Sequence, residues 1–182
     1  SYGQDRSNYD IFAQRFSSDG NKLGSEFQVN TLTHGYQFSP DIASQPNGDF
    51  IITWKSDGQD RSGYDIFAQR FNSEGNKLGT EFQVNTFQGY QVEPAIASQP
   101  NGDFVITWDS HDLGGSGRDI FAQRFDSKGN KLGTEFQVNT FTHDYQYEPA
   151  IASQPNGDFV ITWISDGQDR SGYDIFAQRF NS

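Results

Sequence analysis

An all-β chain made of repeated four-stranded antiparallel sheets is what this sequence predicts, and three observations predict it. Trp54, Trp108 and Trp163 close three copies of NGDF(I/V)ITW, spaced 54 and 55 residues apart. Asp10, Asp65, Asp119 and Asp174 open four copies of DIFAQRF, spaced 55, 54 and 55. Within each period four short runs step between apolar and polar residues with the two-residue rhythm of a strand, bounded by Gly, Asn, Pro and Ser. No run has helical spacing.

The second full copy shows the elements in order. Strand a is expected over 94–99, where Ala and Ile alternate after a proline. Strand b follows over 103–108, with Phe104, Ile106 and Trp108 on one face and Val105 on the other. Strand c covers 119–125, placing Phe121 and Phe125 opposite Ile120 and Ala122, and strand d covers 131–139. Between a and b stands Pro-Asn-Gly-Asp, whose Asn and Gly accept the positive φ of a tight hairpin. Asp-Ser-Lys-Gly-Asn joins c to d as a longer hairpin containing Gly.

Strands that are apolar on both faces must be covered on both faces, so the sheets are expected to stack as blades against neighbours. Four strands in a period of about 50 residues point to a β-propeller-type array, with stacked sheets or a sandwich as the runner-up. The expected division is a partial blade over 1–39 (strands c and d), full blades over 40–93 and 94–148, and a partial blade over 149–182 (strands a, b and c).

Composition bounds the partners. The chain has 182 residues, 13 Lys and Arg against 24 Asp and Glu, and a formal net charge of -11, which disfavours nucleic acid and anionic lipid. No stretch is long and apolar enough for a membrane span, so membrane insertion is not expected. With 17 Phe, 8 Tyr and 3 Trp, aromatic rings must supply much of the core. Cys and Met are both absent, which removes thiolate chemistry and suggests a processed product or a piece of a longer polypeptide.

The string DIFAQRF…GNKLG.EFQVNT…P.IASQPNGDF.ITW resembles a repeat of about 55 residues, near the kelch period, found in large secreted bacterial surface proteins beside calcium-binding nonapeptide (RTX) or cadherin-like modules. The resemblance covers the whole chain. It implies a propeller-like fold and an extracellular or cell-surface setting, and it brings no catalytic residues with it.

Antiparallel order puts the short a–b and c–d turns on one face and the longer b–c and d–a loops on the other. The copies differ most in those longer loops, so a binding surface is expected there. The b–c loops carry Asp57, Asp60 and Asp65, repeated as Asp166, Asp169 and Asp174, which read either as oxygen ligands for calcium or as turn-building residues bonded to nearby backbone. The third copy has His111 and Gly114 at the two upstream positions. Tyr36, Tyr90 and Tyr145 in the d–a loops, Tyr64 and Tyr173 in the b–c loops, and His34 and His143 read as a glycan-binding set, the rings stacking on sugars. The competing reading has the tyrosines capping the rim of the core.

Catalysis finds little support in the sequence, because no paired His, nucleophile elbow or buried carboxylate is evident. Arg15, Arg70, Arg124 and Arg179 in strand c and Glu26, Glu81 and Glu135 in strand d are expected to form cross-strand ion pairs. The expectation is therefore a non-enzymatic, extracellular binding or adhesion repeat recognising surface glycans through the long-loop face. Its alternative is a structural repeat that self-associates, as part of a longer repeat chain, into a filament, sheath or stalk.

Overall fold

A computed structural model describes residues 9–33, 35–57, 63–111, 117–167 and 172–181. The described residues form thirteen strands and no helix. β1 (Phe12–Phe16) pairs with β2 (Lys22–Gln28) in a first, two-stranded sheet. The second sheet is a four-stranded meander of β3 (Gln37–Ser44), β4 (Phe50–Asp57), β5 (Tyr64–Phe71) and β6 (Lys77–Gln83). The third repeats it as β7 (Tyr90–Ser98), β8 (Phe104–His111), β9 (Arg118–Phe125) and β10 (Lys131–Gln137). The fourth holds β11 (Gln146–Ser153), β12 (Phe159–Asp166) and β13 (Tyr173–Phe180). All pairs are antiparallel, as expected of propeller blades.

The a and b strands run further than the sequence suggests. β7 begins at Tyr90, ahead of Pro94, and β8 continues past Trp108 to His111. Proline has no N–H for the ladder, so the strand accommodates it with a bulge between Val92 and Ala95. The residue before the strand-a prolines Pro40, Pro94 and Pro149 takes a left-handed backbone, with φ of 49° at Ser39, 49° at Glu93 and 52° at Glu148. That is unusual for non-glycine residues and turns each side chain out of the regular pleat. The a–b turn closes through Gly102 N donating to Gln99 O at 2.9 Å, with Gly102 at φ 88°.

The core lies between sheets rather than inside any one of them. Phe104 stacks on Phe125 at 5.0 Å within the third sheet, and Phe82 of the second sheet tilts onto the same Phe125 at 5.5 Å. The pattern recurs with Phe27, Phe50 and Phe71, and with Phe136, Phe159 and Phe180. Each tryptophan is buried and donates its indole N–H to a glutamine of the neighbouring a strand: Trp54 to Gln37 at 2.9 Å, Trp108 to Gln91 at 2.8 Å and Trp163 to Gln146 at 3.1 Å. The core clusters join the first sheet to the second, the second to the third and the third to the fourth. The described sheets thus form an open arc: Ile66 and Ile120 are 0% exposed, whereas Ile175, at the same position of the last sheet, is 72% exposed.

The expected Arg–Glu pairs across strands c and d are not what forms. Arg15 donates to the Glu74 carbonyl at 2.5 Å and Arg70 to the Lys128 carbonyl at 2.7 Å, each reaching the c–d turn of the next sheet. Glu81 accepts from Thr31 N and Glu135 from Thr86 N, both at 2.6 Å, in the preceding d–a connection. Both side chains project across the sheet-to-sheet gap, so they join adjacent sheets instead of neighbouring strands.

The aspartates that open strand c are held by an internal clip. Asn85 donates to Asp65 Oδ1 at 2.7 Å and to the Phe87 carbonyl at 2.9 Å, while its Oδ1 accepts from Ile66 N at 2.8 Å. Asn30 with Asp10 and Asn139 with Asp119 repeat the arrangement. Asn85→Ala should cost about 2–3 kcal/mol, because it removes a hydrogen bond to the buried Asp65 carboxylate and the acceptor of the buried Ile66 N–H together. Urea denaturation checks this, and a loss under about 0.5 kcal/mol would show that the clip is dispensable.

Candidate functional site

At the long-loop face, the start of a c strand in one sheet meets the entry to the a strand of the next. Tyr9 bridges Tyr36 in parallel at the first junction, and their rings lie 5.7 Å apart. The second junction brings Tyr64 and Tyr90 to 5.9 Å. At the third, the bridge is between Arg118 and Tyr145, so a guanidinium stands where the other junctions carry a phenol.

A second exchange accompanies the first. The residue after each tryptophan is Lys55, Asp109 or Ile164. Lys55 is 3.0 Å from Glu93 Oε1 and sits over the rings of Phe38 and Tyr64, both at 5.7 Å, so its charge is satisfied inside the second junction. Asp109 occupies that place in the third junction, and Glu148 stands where Glu93 did. The cation there is Arg118, 3.8 Å from Asp109 Oδ1.

Asp109 is the most perturbed group described. Its side chain is 0% exposed and no described side chain hydrogen-bonds either carboxyl oxygen; the Glu148 backbone lies near enough to favour the ionised form. Burial pushes its pKa up from 3.8 to about 7, with Glu93 adding to the rise and Arg118 and Lys55 opposing it. Asp109 and His111 point to the same face of β8, two residues apart.

His111 and Arg118 line one wall of a cleft of about 390 Å³, and Tyr145, Tyr147, Asp166 and Tyr173 of the fourth sheet line the other. Tyr147 and Tyr173 meet edge to face at 6.3 Å. Burial raises the pKa of Tyr147, helped by the adjacent Tyr173, Asp166 and Glu148. A guanidinium and an imidazole on one wall face a carboxylate and three phenols on the other, a surface that can stack against a ring and bond its hydroxyls.

Of the glycan-binding set, Tyr145 and Tyr173 reach this cleft, the latter 71% exposed. Tyr36 stacks on Phe38 at 5.6 Å and Tyr64 packs against Tyr90, so these three belong to the first and second junctions. Tyr64, Tyr90 and Tyr173 are strand residues rather than loop residues, because β5, β7 and β13 begin there. His143 is exposed, its ring 5.7 Å from that of Phe141, and His34 lies outside the described residues. Of the aspartates proposed for calcium, Asp65 is bonded to Asn85, Asp57 N and Asp166 N donate to the Tyr36 and Tyr145 carbonyls, and Asp174 is half-buried at the start of β13. Asp60 and Asp169 lie outside the described residues, among which no group of three acidic, His or Cys side chains is placed to hold a metal.

Asp109, Arg118 and Tyr147 were not among the expected site residues. The signal was present in the copies themselves: the post-tryptophan position changes charge from Lys55 to Asp109, while the strand-c entry changes from Tyr64 to Arg118.

No protein-family model matches the chain, and no curated protein sequence matches it. Solved structures do share its fold. An endo-arabinase from Bacteroides thetaiotaomicron superposes with a TM-score of 0.56 at 11% identity, covering 91% of this chain and 63% of that one. An N-acetylgalactosamine deacetylase from F. plautii gives 0.59 at 10% identity, covering 92% and 57%. A thermostable family-43 glycoside hydrolase gives 0.51 at 10% identity, covering 91% and 65%. The chain spans less than two thirds of the length of each, and likeness at such identity is one of fold.

These structures overturn the expectation of a non-enzymatic binding or adhesion repeat. That expectation rested on finding no catalytic pattern and no buried carboxylate in the sequence. The fold matched over most of the chain is one used by enzymes that act on carbohydrate, and Asp109 is a buried carboxyl.

Proposed function

We propose that this chain is part of a carbohydrate-acting propeller, that the cleft between the third and fourth sheets holds a glycosyl unit, and that Asp109 and Asp166 act on its glycosidic bond. One observation carries the proposal: behind the Arg118 wall of that cleft, 3.8 Å from the guanidinium, lies a fully buried carboxyl, Asp109, whose pKa burial pushes up to about 7. Cleavage of a glycosidic bond uses one carboxylic acid to protonate the departing oxygen and a second, ionised carboxylate to assist water or attack the sugar. Asp109 donates the proton as the C–O bond breaks. Asp166, which lines the opposite wall, is the second carboxylate.

Arg118 lies against Asp109 and also lines the cleft, so Asp109 delivers its proton once the guanidinium moves off it. The tyrosines hold the sugar: Tyr145 and Tyr173 offer exposed rings, and the Tyr147 hydroxyl holds its proton to high pH.

Reducing-end release from a panel of plant and animal polysaccharides tests the proposal. Activity should fall as pH rises through about 7, because the protonated form of Asp109 is the active one. Asp109→Asn and Asp166→Asn should each lower kcat by about 100-fold or more, while Tyr36→Ala, at a different junction, leaves it within about twofold. Turnover by the Asp109→Asn variant at the wild-type rate would refute the role, as would a wild-type protein inert toward the whole panel.

A further inference from the structure

The exchange of Lys55 for Asp109 and Tyr64 for Arg118 leaves one cation in each junction but changes what that cation faces. Lys55 is only 17% exposed, ion-paired to Glu93 and covered by two rings. Arg118 is 40% exposed, its guanidinium donates no hydrogen bond among the described residues, and its one ion pair, to Asp109, is long at 3.8 Å. Among the described residues the guanidinium N–H groups therefore have no hydrogen-bond acceptor, and they stand at the wall of a cleft lined by three tyrosines. His111, beside it on the same wall, replaces the Asp57 and Asp166 of the other copies.

Such guanidinium donors match a planar oxyanion, which a carboxylate or a sulfate ester presents in the right fork geometry. The rest of the molecule makes that match selective. A chain of net charge -11 repels anions over most of its surface, so a cationic wall here gives an anionic ligand one place to settle. Asp166 on the opposite wall fixes the direction, because it turns the anionic group of the ligand toward Arg118 and away from itself.

Resting on the reading of this cleft as a glycosyl site, we propose that its ligand is an acidic glycan whose carboxylate or sulfate is received by Arg118. Reception has a second consequence. A guanidinium that turns to an oxyanion in the cleft leaves Asp109, so binding of the correct sugar uncovers the acid that acts on it. A neutral sugar has no means of drawing Arg118 away.

Calorimetric binding of three probes tests this: an oligogalacturonate, a sulfated galactan oligosaccharide and a neutral galactan oligosaccharide of equal length. The wild-type chain should bind at least one acidic probe about tenfold or more tighter than the neutral one, as hydrogen bonds to a charged partner imply. Which acidic probe binds tells carboxylate from sulfate. Arg118→Tyr installs the residue that the second junction carries and should bring the ratio to about one, with Arg118→Lys between. If Arg118→Tyr fails to fold, Asp109→Lys with Arg118→Tyr rebuilds the Lys–Tyr pairing of the second junction and serves in its place. An acidic-to-neutral ratio unchanged by either variant overturns the inference, as does equal binding of all three probes by the wild-type chain. In the second case the cleft remains a glycan site; no binding of any probe removes both readings.

Discussion

Asp109→Asn is expected to raise the melting temperature at pH 8 on the order of 10 °C and to leave it almost unchanged at pH 4. The folded protein holds the Asp109 proton up to about pH 7, whereas the unfolded chain releases it near 3.8. Between those values the native state binds more protons than the unfolded state, so stability falls as pH rises. The contribution is fully present below pH 3.8 and lost once pH passes 7. A gap of about three pKa units corresponds to about 4 kcal/mol, and in a chain of this length each kcal/mol moves the melting point by about 2–4 °C. Asparagine is neutral at every pH and removes the slope. Melting curves of both proteins from pH 4 to 8 provide the check, and parallel pH profiles would mean that Asp109 ionises as easily folded as unfolded. The stable variant is also the one expected to lose activity, which is how a site held under electrostatic strain behaves.

Trp108→Ala is expected to cost about 3–5 kcal/mol, a large part of the 5–15 kcal/mol that typical domains possess. Trp108 is 1% exposed and lies in the cluster that binds the second sheet to the third. Its removal opens a cavity in the middle of the arc and also strands the buried Gln91 Oε1, which accepts the indole N–H. Trp108→Phe keeps most of the volume but loses the N–H, so it should fall between wild type and alanine. Urea midpoints resolve the series. A loss below about 1 kcal/mol in Trp108→Ala would show that the sheets are held together chiefly by the Phe82, Phe104 and Phe125 stack.

What was legible in the sequence was whatever local alternation and the period encode. The hairpin turns, the meander order and the two-faced burial of Ile120 and Phe125 all follow from residues close in sequence. The Asp–Asn clips were legible in principle, since Asp10, Asp65 and Asp119 each find an asparagine at the same offset of 20 residues. The partners of Arg70 and Glu135 were not, because they lie in adjacent sheets 58 and 49 residues away and are fixed by how the sheets stack. Asp109 illustrates the same limit. One carboxylate after a tryptophan reads as an exposed strand end until the fourth sheet covers it, and only packing makes it an acid that titrates at neutral pH.

β5 and β13 are the same eight residues, YDIFAQRF, yet one is enclosed and the other lies at the open end of the arc. During collapse β4 therefore meets two strands that its side chains cannot tell apart. The tether decides between them. Tyr64 follows Asp57 almost at once, while Tyr173 lies more than a hundred residues downstream, roughly four doublings of loop length and about 2.5 kcal/mol of closure entropy. Correct pairing in this chain is thus enforced by connection length and not by complementarity. The brevity of the b–c loops is what lets a molecule built from interchangeable strands reach a single arrangement.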